Sequence, residues 1–91
     1  MMNEMTKLAV LLAKEDIPFE LVSWSVNGEA TTSIVSPSQE DCIVDAVCHQ
    51  FSYGGEEGLL EVLGSANPEL ENIDVVGFLT AEEAIKYFRT K

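Results

Sequence analysis

Lysine and arginine are missing from most of this chain. From Glu15 to Ile85 neither occurs in 71 residues, and the five bases, Lys7, Lys14, Lys86, Arg89 and Lys91, all lie in the two terminal segments. Fifteen of the sixteen acids fall inside that interval, and the formal net charge is -11. Carboxylates without cations beside them cannot neutralise one another, so the central region carries a strong negative potential, tempered only by salt. Direct binding to nucleic acid or to an anionic membrane is thereby disfavoured, because both are gripped mainly by cationic side chains. Long apolar runs are also missing: nothing approaches the roughly 18 to 20 residues of a membrane helix, and no basic stretch followed by a hydrophobic core opens the chain. A cytoplasmic protein is expected. Cysteine is scarce, and Cys42 and Cys48 on an extended strand stand roughly 20 Å apart at about 3.3 Å per residue, too far for a disulfide. Two reduced thiols are expected.

What is present suits one folded domain over residues 1–91. Apolar residues make up 46% and charged residues 23% of the chain, in the globular range and too apolar for disorder. Met5, Leu8, Ala9 and Leu12 recur at the spacing of one helical face, which predicts an amphipathic helix over 3–15, ended by Asp16 and the Ile17-Pro18 step. Phe19–Val26 and Glu29–Val35 are β-prone runs separated by Asn27-Gly28, the strongest short hairpin signal. After the Ser36–Glu40 turn, Asp41–His49 predicts a strand inside the sheet, with Ile43 and Val47 on one side and Val44 and Ala46 on the other. Leu59, Leu60, Val62 and Leu63 predict a short helix closed by Gly64. Residues 65–74 read as a surface loop, Val75–Leu79 as a short buried strand, and Thr80-Ala81-Glu82-Glu83 as the capping box of a last helix. The order α-β-β-β-α-β-α implies an α+β two-layer sandwich, a three- or four-stranded, mostly antiparallel sheet with helices on one face.

Four constellations carry chemistry worth weighing. Cys42, Cys48 and His49, with Asp45, could be metal ligands, but on a strand His49 faces away from Cys48, and zinc ligands usually come in pairs on turns. Cysteines as small core residues fit better, and no metal site or cofactor is expected. A cysteine nucleophile fails on the same geometry, and a single histidine with no basic residue in the central region leaves little to catalyse with, so no enzyme is expected. Ser52-Tyr53-Gly54-Gly55 resembles a phosphate-cradling loop, yet Glu56 and Glu57 follow it where a P-loop supplies lysine. The loop reads better as a turn whose acids stabilise the next helix. Adjacent carboxylates show no calcium-loop spacing and default to a solvated face, except that such a face normally carries lysines too. Trp24 alternates with Val22 and Val26 and is expected in the core, whereas Tyr53 beside two acids is expected at the surface as an interface anchor.

Three segments together resemble a group of small phage and prophage proteins of gut Firmicutes: Ile-Pro-Phe-Glu at 17–20, Cys-His-x-x-Ser-Tyr-Gly-Gly-Glu-Glu-Gly-Leu-Leu-Glu at 48–61, and Val-Val-Gly-Phe-Leu-Thr-Ala-Glu-Glu at 75–83. The resemblance implies a mobile-element setting, in which small acidic proteins of the anti-CRISPR kind act as counter-defence factors. The leading expectation is a non-enzymatic inhibitor that binds a basic, nucleic-acid-handling bacterial defence protein, such as a CRISPR nuclease, through a DNA-mimicking surface of Asp41, Tyr53, Glu56, Glu57, Glu61, Glu69, Glu71 and Asp74. The alternative is a protein that binds or sequesters a nucleotide signal with His49, Ser52, Tyr53, Gly54 and Gly55. A third is an accessory protein that forms a homodimer.

Overall fold

Leu8 and Leu12, one helical turn apart, are both fully buried, and they fix the inward side of the first helix, α1 (Glu4–Lys14). Its start is capped by Asn3, whose side-chain oxygen accepts from the Thr6 N–H at 2.8 Å. Its end is set by Asp16, which takes a left-handed φ of 56°, just before Ile17-Pro18. A computed structural model describes residues 3–26, 28–48, 58–70 and 75–90.

The expected hairpin forms as β1 (Glu20–Val26) and β2 (Glu29–Ser36), paired antiparallel in continuous register from Glu20↔Val35 to Val26↔Glu29. A two-residue loop is left between them, and Gly28 supplies the positive φ of 84° that such a turn needs. Past the cis Ser36–Pro37 bond the chain returns as β3 (Val44–Val47), the centre of a five-stranded sheet of order β1-β2-β3-β4-β5 with every pair antiparallel.

Two elements differ from expectation. Residues 60–64 are not a helix but strand β4 (Leu60–Gly64), paired to β3 from Val47↔Glu61 to Val44↔Gly64. Apolar positions at 59, 60, 62 and 63 fit either period over so short a run. What decides is that β3 has an otherwise unpaired edge, and Leu60 and Val62 alternate into the core while Leu63 stays exposed. Gly64 is therefore not a helix terminator. It holds φ 87° at a strand end where a Cβ would collide with the Ile43 carbonyl oxygen. The second difference is β5 (Val76–Leu79), expected buried but found at the sheet edge. It carries a register shift against β4, and Phe78 is 57% exposed at φ 59°.

The capping box is present as read. Thr80 Oγ1 accepts from the Glu83 N–H at 3.3 Å, and Glu83 Oε1 accepts from the Thr80 N–H at 2.9 Å, opening α2 (Ala81–Ala84), which continues as a 3-10 turn over Ile85–Tyr87. Glu4 of α1 joins the helices by accepting the Ala81 N–H at 2.8 Å. Both helices lie over one face of the sheet, and Leu8, Leu12, Ile85 and Phe88 close on Ile34, Val44, Ala46, Leu60 and Val62. Burying each such large side chain stabilises the fold by about 1.5–3 kcal/mol. The α+β class, an antiparallel sheet beneath helices on one face, is the class expected, with five strands in place of three or four.

Candidate functional site

Cross-strand partners share a face of a sheet, so the register lays out the side turned away from the helices row by row. One row runs Glu20, Val35, Asp45, Leu63; the next runs Val22, Ser33, Val47, Glu61; Trp24 and Thr31 lie beyond. Trp24 is not the core residue that alternation suggested. Its side is 39% exposed, and its indole N–H donates to Ser33 Oγ at 2.7 Å, which lays the ring across the second strand. Leu63, 50% exposed, ends the neighbouring row. The face thus combines aromatic and aliphatic surface with three carboxylates.

Asp45 and Glu61 are diagonal neighbours on adjacent strands, since Asp45 pairs with Leu63 and Glu61 with Val47. Partial burial pushes the Asp45 carboxyl above its usual range, a backbone hydrogen bond from Leu63 opposes that, and the charge of Glu61 pushes it further up. Among the described residues no ion pair reaches this face. The two that form join Lys7 to Glu4 at 3.1 Å and Arg89 to Glu15 at 2.6 Å, both in the helical layer. Charge is therefore divided by layer. Lys7, Lys14, Lys86 and Arg89 belong to the helices and their ends, and the sheet with its connections holds no base at all.

Of the acids expected to form a binding surface, Glu61 is half-buried on this face. Asp41 is exposed in the β2–β3 connection, its N–H donating to Ser38 Oγ at 3.2 Å. Glu69 is exposed on a 3-10 turn (Pro68–Leu70), its N–H donating to Asn67 Oδ1 at 3.0 Å. Asp41 and Glu69 sit in connections at the same end of the sheet, where Val44 meets Gly64, and Glu61 lies toward the other end of its strand. The three do not form one cluster. Tyr53, Glu56, Glu57, Glu71 and Asp74 fall outside the described residues, as do His49, Ser52, Gly54 and Gly55 of the alternative ligand loop. The helix those glutamates were expected to stabilise is strand β4 instead.

Sequence reasoning missed Glu20 and weighed Asp45 only as a metal ligand. The signal for Asp45 was available: it alternates with the inward Val44 and Ala46 and so must turn to the opposite face. Burial raises both thiol pKa values, with the charge of Asp45 adding to the effect at Cys42. A raised pKa keeps a thiol protonated and weakly nucleophilic. Among the described residues no group of three or more His, Cys, Asp and Glu side chains is placed to hold a metal ion, and no helix is long and apolar enough to cross a membrane. Comparison with protein-family models, with curated proteins and with solved structures gives no match.

Proposed function

We propose that the chain is a non-enzymatic binding protein of the bacterial cytoplasm that engages a basic, nucleic-acid-handling protein through its sheet layer. The observation that carries this reading is the division of charge by layer: the face with Glu20, Asp45 and Glu61 has acids and apolar surface and no cation of its own. Asp45 and Glu61 repel each other there, and a guanidinium or ammonium set between them relieves that repulsion on binding. Nucleic-acid enzymes carry arrays of such cations to grip phosphates, so an acidic face competes for the same groups. Trp24 and Leu63 supply the apolar contact that charge alone lacks. An RNA-guided CRISPR nuclease, with its positively charged heteroduplex channel, is a partner of this chemistry, in keeping with the phage-protein resemblance.

The test is binding and cleavage inhibition with a purified RNA-guided nuclease. Wild type should bind, lose affinity as salt rises, and be displaced by duplex DNA, because steering between opposite charges is screened and the sites are shared. Glu61→Lys should weaken binding by about tenfold or more, the equivalent of one lost charge-assisted contact. Affinity indifferent to both salt and DNA would sink the mimicry.

A further inference from the structure

The two edges of the sheet are built differently. β5 is four residues long, shifted in register, and bent by a positive φ at Phe78, all features that discourage a further strand from pairing. β1 has none of these defences. Its seven residues, Glu-Leu-Val-Ser-Trp-Ser-Val, contain no lysine, proline or glycine, keep one unbroken register with β2, and meet no strand on their other side among the described residues.

Its hydrogen-bonding pattern follows from the hairpin. The residues flanking a two-residue loop bond across it, and bonded pairs alternate along an antiparallel ladder, so Glu20, Val22, Trp24 and Val26 turn their N–H and C=O groups toward β2. Leu21, Ser23 and Ser25 turn theirs to the free edge. We propose that this edge pairs with a second copy of the chain, β1 antiparallel to β1 about a twofold axis at Ser23, to give one continuous sheet through two protomers.

The sequence of the strand is self-complementary in that register. Ser23 meets Ser23 of the other copy and Leu21 meets Ser25, and each of these pairs exchanges two N–H···O bonds. Val22 stands opposite Trp24 twice, so the pairs between the bonded ones bring no charge together. Glu20, the one charge in β1, falls opposite the Val26 position at the far end, roughly 20 Å from its own copy at about 3.3 Å per residue. Like charges are thus kept apart where two chains of net charge -11 come closest. Leu21, 60% exposed, borders a groove of about 370 Å³ shared with Met5, Ala9 and Thr32, which extends the same edge onto the helical layer. The contact is short beside the roughly 1,200 Å² of a standard interface, so a reversible, micromolar dimer is expected.

Sedimentation equilibrium of the protein alone, across the micromolar range and at low and high salt, tests this. The expected result is a mass rising from one chain to two, with tighter association at higher salt because repulsion between acidic copies is screened. Ser23→Lys sets two lysines face to face and should weaken the dimer about tenfold or more, although it lowers the net negative charge. Ser25→Lys makes the same change of charge opposite Leu21 and should leave the dimer intact. Both serines are exposed, and thermal melts check that each variant is folded. A monomer at all concentrations, equal loss in both variants, or no loss in Ser23→Lys would overturn the proposal. Because no second protein is present, none of these results depends on the proposed function.

Discussion

Asp45 is the residue at which stability and the proposed function oppose each other. Its folded pKa stands above the ordinary 3.8, raised first by burial, so protonation favours the folded chain and its contribution to stability grows as pH falls through the folded value. Glu4, Glu15 and Glu83 run the other way. Hydrogen bonds from Ala81, Arg89 and Thr80 respectively hold them below the ordinary 4.5, so the stability they bring is present above that value and is lost as pH falls through their folded values. Asp45→Asn keeps an acceptor for the Leu63 backbone and removes the repulsion with Glu61. It should raise thermal stability at neutral pH by on the order of 0.2–1 kcal/mol, as expected for relieving a like-charge cross-strand pair. In melts at descending pH the gain should shrink as wild-type Asp45 itself becomes protonated. A gain that stayed constant down to acid pH would assign the effect to packing.

At the scale of elements, β4 shows how a short apolar run takes its structure from its neighbours. Leu60 and Val62 reach the core only because β3 offers a partner, and Gly64 ends the strand at a spot where both its φ of 87° and the nearby Ile43 carbonyl exclude a side chain. Gly64→Ala should therefore destabilise the protein by about 1–3 kcal/mol, the range for a strained left-handed residue, read as a lower urea midpoint with unchanged slope. Gly28→Ala is the contrasting case, since a Cβ there meets nothing within 4 Å and only the positive φ of 84° penalises it. If Gly64→Ala proved no worse than Gly28→Ala, the close approach to Ile43 would not be limiting. The helix starts, by contrast, are local matters. Asn3 and the Thr80–Glu83 box act within one turn, and the box appears where the residue pattern placed it.

Across the whole molecule the dominant quantity is self-repulsion. The helical layer holds every described base and both described ion pairs, so the negative potential of the sheet layer goes unopposed. Raising salt from about 10 mM to about 150 mM shortens the screening length from about 30 Å to about 8 Å. The melting temperature should rise over that interval, in contrast to a charge-balanced domain of similar size. Calorimetry with chloride salts of two different monovalent cations separates general screening from binding of one ion. A fall in melting temperature would mean that ion pairs in the helical layer outweigh the repulsion.

The sequence by itself determined whatever depends on a few neighbouring residues or on counting. The α+β class, α1 with its end at Asp16, the Asn27-Gly28 hairpin, the capping box at Thr80 and the cation-free middle of the chain are all of this kind, because caps and turns act over one to four residues and net charge is a count. Tertiary structure decided what depends on distant partners. It made 60–64 a strand because β3 needed a neighbour, left β5 at an edge and so exposed Phe78, and drew Trp24 out of the core to lie over Ser33. It also chose which acids stand together: Glu20, Asp45 and Glu61 came onto one face, while Asp41 and Glu69 went to its end. Strand pairing is a long-range choice among competing edges, and no spacing within one segment encodes which edge is free.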